Sequence, residues 1–261
     1  MITNQGSSQP SGSLGLTVNR AIRPSTSPTI HQLLKRGLPN KHLPAKVNVW
    51  RRENLMRLLR GAWKIWTSEQ LSIPFSYGAL YLSIIRPAGN VSDFLKEYAD
   101  LYPTLNGLDF TSWASAKGMA FNRLHLGLAG TRVVTTAGVG FIVDAFQNIV
   151  ELEILKFHAL GTGSTAEAVG DTALVTELTT EYNPDGTRAT GTTTEGASPN
   201  IYRTLGTNTL DGTPGAALRE HGVFSAATAG VLLDRTVFGA ITLSLGDGLQ
   251  STYDHSQIAG S

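Results

Sequence analysis

The chain has 261 residues, of which 41% are hydrophobic, 16% are charged and none is cysteine. This length and hydrophobic content suffice for one sizeable core or two small ones, which excludes a wholly disordered protein. The lack of cysteine excludes disulfide bonds, thiolate zinc sites and cysteine nucleophiles. No apolar run reaches the roughly 18 residues of a membrane span, and Met1–Ser13 lacks the pattern of a signal peptide, so we expect a soluble, unexported chain that does not bind membranes.

The charges are divided unevenly along the chain. Met1–Lys64 holds eleven Lys or Arg residues against the single acid Glu53, whereas the remainder holds ten bases and nineteen acids. A basic segment of this kind commonly binds an acidic partner, either nucleic acid or an acidic protein surface. No base-reading motif favours nucleic acid, so we expect a protein partner; a solvated segment that binds nothing remains the alternative.

Residues 1–46 are predicted to form an extended arm. Prolines recur too often in it for a long helix or an interior strand, although a short helix over Thr29–Arg36 is compatible with the pattern. Apolar residues recur between basic ones, which a simple linker would not need. The predicted partner-binding residues, in the arm and just beyond it, are Leu14, Leu16, Arg20, Ile22, Arg23, Leu33, Leu34, Lys35, Arg36, Arg51 and Arg52.

Residues 47–148 are predicted to be a mainly helical segment. From Val47 to Trp66, apolar residues recur at steps of three and four while arginines take the other faces, which indicates a basic amphipathic helix. We expect this helix to pack on its own domain, with a membrane-surface or nucleic-acid helix as the alternatives. Further helices are predicted over Ser92–Tyr102 and, with weaker signals, over Thr111–Arg123 and Thr136–Gln147.

Residues 149–261 are predicted to form an antiparallel β-sandwich domain, because short apolar runs are separated by clusters of Gly, Asn, Asp and Pro. The fold class expected for the whole chain is therefore α+β, with an extended N-terminal arm, a mainly helical middle segment and a C-terminal β-sandwich. The predicted strands are Val150–Leu155 continuing to Leu160, Ala173–Leu178, Asn200–Thr209, Gly222–Ser225, Val231–Asp234, Thr236–Leu245 and Gln250–Tyr253. Thr187–Thr194 suits an exposed strand or a loop.

Two patterns are considered for chemistry and set aside. Gly161-Thr-Gly163-Ser-Thr-Ala166 has the glycine spacing of a dinucleotide-binding turn, but Gly170 and Asp171 interrupt the helix that must follow, and a P-loop would need a lysine. The acid-base or metal candidates have no diagnostic spacing, and hydrogen-bonded structural roles are favoured for the histidines among them; these candidates are His158, His221, His255, Glu195, Glu220, Asp234 and Asp247. We expect no enzymatic activity, no cofactor and no metal.

Local roles are predicted for several residues of the β segment. Glycines at strand ends suit tight turns with positive φ or a close approach of backbone; they are Gly161, Gly163, Gly222, Gly246 and Gly248. Asp234 and Arg235 are predicted to form an ion pair at the end of a strand.

A series of segments in the second half of the chain resembles another group of proteins. The segments are Lys156–Leu174, Arg188-Ala-Thr-Gly, Asn200–Arg203, Glu220–Ser225, Val231–Phe238 and Gly246–Tyr253. In this order they resemble segments of uncharacterised structural proteins of tailed phages and prophages. The resemblance covers residues 131–261, about half of the chain, and implies a non-enzymatic virion component without fixing its position in the particle.

Combined with the basic arm, the resemblance leads us to expect a capsid cement or decoration protein. Such a protein would clamp neighbouring subunits of the major capsid protein on the head exterior, after assembly in the host cytoplasm, and would itself form a dimer or trimer. The alternatives are a phage adhesin, as a head fibre or tail-associated receptor-binding protein, and a nucleic-acid-binding virion protein that uses residues 20–64.

Overall fold

The computed structural model describes residues 75–86, 123–212 and 216–259, together with Trp63, Thr67 and Glu97. The predicted arm and its short helix Thr29–Arg36 lie outside the described residues. The predicted helix Thr111–Arg123 also lies outside them, except for its last residue, Arg123. Most of the two helices predicted over Val47–Trp66 and Ser92–Tyr102 also lies outside them. Trp63, Thr67 and Glu97 are helical, and the Thr67 hydroxyl donates to the Trp63 carbonyl at 2.8 Å.

Besides these three helical residues, the described part of the chain contains ten strands and one α-helix with defined ends. In chain order, they are β1 (Phe75–Ile85), β2 (Arg123–Val133), α1 (Thr136–Phe146), β3 (Phe157–Gly161), β4 (Tyr182–Asn183), β5 (Ala189–Thr190), β6 (Thr192–Glu195), β7 (Ile201–Leu210), β8 (Leu218–Phe224), β9 (Leu232–Ile241) and β10 (Gly248–Ile258). A 3₁₀ helix at Leu152–Ile154 lies between α1 and β3.

The strands form two antiparallel sheets. Sheet 1 has the order β2-β1-β10-β7-β4, with β6 also paired to β7, and sheet 2 has the order β5-β3-β8-β9. The longest pairing joins β1 to β10 over eleven residues, from Phe75 opposite Ile258 to Ile85 opposite Gly248. The first described strand therefore pairs with the last.

The predicted α+β class with a mainly helical middle segment is wrong. Within residues 47–148 the chain forms β1 and β2, each of eleven residues, and both join the sheet that contains β7 and β10. In β1, residues on both faces are buried, among them Ala79 and Leu80. A strand buried on both faces reads as a continuous apolar run, which periodicity cannot distinguish from a buried helix.

Some predictions for single elements are confirmed and others differ from the structure. Helix α1 and strands β7, β8 and β10 lie where they are predicted, with shifted ends. Val231–Asp234 and Thr236–Leu245 belong to one strand, β9, since nothing between them breaks the backbone pairing. The alternating residues Val150–Leu155 contain the 3₁₀ helix instead of a strand, and Ala173–Leu178 makes only an isolated bridge between Glu177 and Gly161.

The inner faces of the two sheets share an apolar core. Side chains at alternate positions of β1, together with Leu249 of β10, pack against side chains from β3, β8 and β9, as expected when sheets pack face to face. This core includes Leu80, Leu82, Ile84 and Leu249 from sheet 1 and Leu160, Leu218, Phe238 and Ile241 from sheet 2.

Helix α1 is fixed at the end of this structure by its first turn. The Thr135 hydroxyl accepts a hydrogen bond from the Gly138 amide at 2.9 Å, which caps the helix, and donates to the Leu232 carbonyl of β9 at 2.5 Å. Phe141 then enters a second apolar cluster with Leu233 and other residues. One face of α1 is therefore held against β9, and the opposite face points away from the sheets.

The segment 162–181 covers the outer face of sheet 2. Leu174 packs with Ala159, Phe224 and Leu232 on that face. The Glu167 carboxylate accepts a hydrogen bond from the Val237 amide of β9 at 2.6 Å. This segment encloses polar side chains that point outward from sheet 2.

Candidate functional site

The residues predicted to bind a partner cannot be placed in the structure. All eleven, from Leu14 to Arg52, lie outside the described residues. The described residues offer two kinds of feature in their place: polar clusters enclosed by the sheets, and an exposed apolar surface on α1.

His158 and His221 form a buried pair between the sheets. His158 Nδ1 lies 2.9 Å from His221 Nε2, and His158 Nε2 lies 3.1 Å from the Thr204 hydroxyl of sheet 1. Burial lowers the pKa of His158 to about 3. Burial, and then the repulsion that a protonated His158 would exert, lower the pKa of His221 well below its ordinary value. The two neutral rings therefore link the sheets by hydrogen bonds.

His255 lies apart from that pair, near one end of sheet 1. Its Nε2 is 3.2 Å from the Ser76 hydroxyl and accepts from the Gln257 side-chain amide at 2.7 Å. Burial lowers the pKa of His255 to about 4. Ser76 and Gln257 thus fix the orientation of the ring.

Asp234 points into the same interior as His221. Its Oδ1 accepts from the Thr236 hydroxyl at 2.9 Å, and its carboxylate lies beside the Tyr253 hydroxyl over Gly78, where a Cβ would be 2.4 Å from the Tyr253 oxygen and 2.6 Å from Asp234 Oδ2. Burial, and then Asp234, raise the pKa of Tyr253 well above its ordinary value. The predicted Asp234–Arg235 ion pair is therefore wrong, because successive side chains of β9 point to opposite faces.

Glu220 and Arg235 form a buried ion pair on the outer face of sheet 2. Arg235 Nε donates to Glu220 Oε2 at 2.8 Å, with about 1% of the Arg235 side chain and none of the Glu220 side chain exposed. A second carboxylate, Asp171, accepts from Arg235 at 3.0 Å. Arg235 also donates to the carbonyl of Thr165 at 3.1 Å. The guanidinium is therefore held by three partners.

Backbone amides of the covering segment complete this cluster. Glu220 accepts from the amides of Gly163, Val175 and Thr176 at 2.8–3.1 Å. Burial alone would raise the pKa of Glu220, but the hydrogen bonds from the Thr176 amide, from Arg235 and from the Val175 amide outweigh it and lower this pKa.

Gly161 and Gly163, whose spacing resembles that of a dinucleotide-binding turn, lie against Glu220 in this cluster. A Cβ on Gly163 would lie 2.4 Å from Glu220 Oε1, and one on Gly161 would lie 2.6 Å from the same atom. Both glycines therefore allow the backbone to approach the carboxylate, which is the second of their two predicted roles. Of the predicted turn glycines, Gly246 alone has a positive φ, of 84°.

The segments that carry the resemblance converge on this cluster. Glu220 comes from Glu220–Ser225, Arg235 comes from Val231–Phe238, and Gly163, Thr165 and Asp171 come from Lys156–Leu174. Arg188, from a fourth segment, pairs with Glu177 at 2.7 Å, and its guanidinium carbon lies 3.4 Å from the ring centroid of Phe224. These segments therefore hold the covering segment on sheet 2.

Two further ion pairs involve acids of β10 and of the turn before it. Arg203 binds both oxygens of Asp254 at 2.6 and 2.7 Å. Arg86 binds both oxygens of Asp247 in the same way and also contacts Glu97 at 2.7 Å. Contacts of this type, in which a planar guanidinium binds both oxygens of a carboxylate, fix the positions of the strands as well as pairing the charges.

The seven acid-base or metal candidates are consequently not one site. His158 and His221 are together, Asp234 lies on the same inner face, and Glu220 is on the outer face of sheet 2. Asp247 pairs with Arg86, and Glu195 is exposed on β6. Among the described residues, no group of three or more His, Cys, Asp or Glu side chains is arranged to hold a metal ion.

The exposed side of α1 carries a line of large apolar side chains. Val139, Val143 and Phe146 recur at helical spacing, and Ile149 and Leu152 continue the line after the helix. Their exposed fractions are 45, 48, 80, 65 and 40%, respectively. We name these five residues the α1 surface. Sequence reasoning identified the helix but missed this surface, although the spacing of Val139, Val143 and Phe146 could have indicated it.

Concentrated apolar exposure of this kind is typical of a contact site for another macromolecule. Within the described part of the chain, no helix has the length and hydropathy needed to cross a membrane. No protein-family model and no curated protein matches the chain, so the α1 surface and the polar clusters have to be interpreted from their own geometry.

Proposed function

We propose that the chain is a non-enzymatic structural component of a tailed-phage particle, and that it acts as a cement or decoration protein on the head exterior. In this proposal its partner is the major capsid protein, and the basic N-terminal segment binds acidic surfaces of neighbouring capsid subunits. The β structure is the rigid part that the segment attaches to the shell.

The observation that carries the proposal is the convergence of the resembling segments on the Glu220–Arg235 cluster. A catalytic carboxylate needs access to substrate, whereas the Glu220 side chain is fully buried and accepts four hydrogen bonds from the chain itself. Its role is therefore to hold the covering segment in place. A virion component needs a rigid folded part, and a structural role of this kind supports such a part.

The charge distribution supports the assignment of the binding function to the N-terminal segment. Eleven of the 21 basic residues lie in Met1–Lys64, which holds one of the 20 acids. In contrast, several basic residues of the sheets are engaged internally, as Arg235 and Arg203 illustrate. Long-range attraction to an acidic shell would then come mainly from the N-terminal segment.

Co-sedimentation tests this proposal. The full chain is mixed with DNA-free capsids of the phage or prophage that encodes it, and separately with duplex DNA over a salt series. We expect saturable binding to capsids, weakened by about tenfold or more in the double variant R20Q/R23Q, since the lost charges no longer meet the acidic shell. The control T193E/T194E changes net charge equally at exposed positions of β6 and should bind like the wild type.

Two results would refute the cement assignment. Binding to DNA alone, with an affinity that falls steeply with salt, would indicate a nucleic-acid-binding protein. Binding to host cells with no binding to capsids would indicate an adhesin.

A further inference from the structure

The α1 surface is presented by a rigid element. Thr135 caps the helix and binds β9, and Phe141 is buried in the cluster beneath it. A Cβ on Gly138 would lie 2.7 Å from the Leu233 carbonyl, which shows how closely α1 approaches β9. Rotation of the helix to bury Val143 and Phe146 would expose Phe141, so a rotation of α1 would not remove apolar surface from water.

The electrostatic character of this region restricts the partner. Between Val133 and Leu155 the chain has three acids, Asp144, Glu151 and Glu153, and no Lys or Arg. Glu151 and Glu153 are exposed on either side of Leu152. A complementary partner is therefore both apolar and positively charged.

The chain itself contains one segment with that chemistry. Residues 47–66 hold five Lys or Arg residues against the single acid Glu53, and their apolar residues recur at steps of three and four. Trp63, within this segment, is helical and 45% exposed.

A pairing between copies fits the exposure of Phe146, which is 80% in the single chain. Symmetric contact between two α1 surfaces would bring Glu151 and Glu153 of one copy against the same acids of the other, which like-charge repulsion opposes. A contact between different surfaces of two copies avoids this repulsion.

We propose that the α1 surface of one copy, with its rim of Glu151 and Glu153, binds the basic apolar segment 47–66 of a neighbouring copy. Each copy then gives one segment and receives another, so the contact is head-to-tail and produces a closed ring or an open chain. The inference goes beyond the capsid-binding function and does not depend on it.

Sedimentation velocity of the full chain, with no capsid or DNA present, tests the proposal. The wild type is expected to self-associate in a concentration-dependent manner, more weakly at high salt. F146Q should sediment as a monomer with an unchanged thermal midpoint, because Phe146 packs on little of its own chain. The matched control is L245Q: Leu245 is also an exposed apolar residue, at 63%, but is not in the α1 surface, and this variant should associate like the wild type.

Mixing two defective variants distinguishes head-to-tail contact from symmetric contact. F146Q keeps an intact segment, and R57E/R60E keeps an intact α1 surface. Each alone should be monomeric, whereas an equimolar mixture should form a dimer that does not grow further, since one functional contact remains. A monomeric wild type, association of F146Q equal to that of the wild type, or a mixture that stays monomeric would each overturn the proposal.

Discussion

The carboxylate of Glu220 is surrounded by hydrogen-bond donors only. Oε1 accepts from the amides of Gly163 and Thr176, and Oε2 accepts from the Val175 amide and Arg235. A neutral amide at this position would direct its own N–H groups toward two of these donors, whichever way it turned. The site is therefore specific for a carboxylate rather than for any polar side chain of that size.

E220Q is expected to lower the free energy of unfolding by about 3 kcal/mol or more. The substitution removes the negative charge that pairs with Arg235, and it places the N–H group of the new amide opposite N–H groups that donated to the carboxylate. Urea denaturation followed by circular dichroism measures the change. E195Q alters an exposed glutamate on β6 and serves as the control, with a change within about 0.5 kcal/mol. A stability of E220Q equal to that of E195Q would contradict the structural role of the cluster.

Gly206 of β7 lies directly beneath His158. A Cβ there would be 2.5 Å from His158 Cδ2, and the ring cannot move without losing its hydrogen bonds to His221 and Thr204. We expect G206A to destabilise the chain by about 1–3 kcal/mol through overpacking. G140A, in α1 with nothing within 4 Å of the added carbon, should instead stabilise by about 0.5–1 kcal/mol. Equal thermal midpoints for the two variants would contradict this difference.

Single residues could be interpreted from the sequence only where the reason was local. The close approach at Gly161 and Gly163 was predictable because glycine near a strand end has few structural roles. The partner of Arg235 was not, since Glu220 is fifteen positions away on another strand. The adjacent Asp234 was the natural choice from sequence, but the alternation of side chains in a strand excludes it.

Among the elements, α1 depends most on one side chain. Thr135 satisfies the Gly138 amide and also binds β9 through the Leu232 carbonyl. T135A is expected to lower stability by about 1–2 kcal/mol, near the upper end for a lost cap, and T135S should restore most of it. T136A alters the neighbouring exposed threonine and should leave the thermal midpoint almost unchanged. Similar losses in T135A and T136A would show that the cap does not fix the helix.

The predictability of the elements followed the location of their apolar residues. Helix α1 has one buried face and one exposed face, so its limits were predicted well. Strand β1 is buried on both faces and lacks the alternation that identifies a strand. Strand β2 has a detectable signal, with Leu124, Leu126 and Leu128 at every second position, but its glycines lowered the strand propensity of the segment. The opposite error occurred at Leu152, where apolar and charged residues alternate and a strand was predicted, but the residues form a short, exposed 3₁₀ helix.

At the scale of the whole molecule, buried histidines link stability to pH. In the unfolded chain, each histidine takes up a proton as the pH falls through about 6.5, whereas His158 and His255 stay neutral in the folded chain down to pKa values of about 3 and about 4. The unfolded state then binds more protons between these limits. The contribution of these neutral histidines to stability is therefore fully present above pH 6.5. Below that pH, the free energy of unfolding falls by about 1.4 kcal/mol per pH unit for each such histidine.

Urea denaturation between pH 7 and pH 5 measures this dependence, in a window above the titration of Glu220. Proton uptake on unfolding at pH 5.5, measured by calorimetry in buffers of different ionisation enthalpy, gives an independent value. A stability that is constant or that rises toward pH 5 would contradict the neutral state of the buried histidines.

The assembly of the two sheets is the least predictable level. The β1–β10 pairing joins residues 75–85 to residues 248–258, and no local pattern specifies a partner so far along the chain. The same holds for the contact of His158 and His221 with Thr204. Antiparallel β structure over residues 149–261 could be predicted because turn signals separate the strands, but its union with β1 and β2 could not.

The central position of β10 in sheet 1 also governs how the chain can fold as it is synthesised. Strands β1 and β7 flank β10, so both remain unpaired along that edge until residues 248–258 have left the ribosome. Open edges of this length are templates for pairing between nascent chains. A ribosome that stalls before Gly248 therefore releases a product in which β1 and β7 both keep an open edge, and these two strands join one sheet only after β10 has been synthesised.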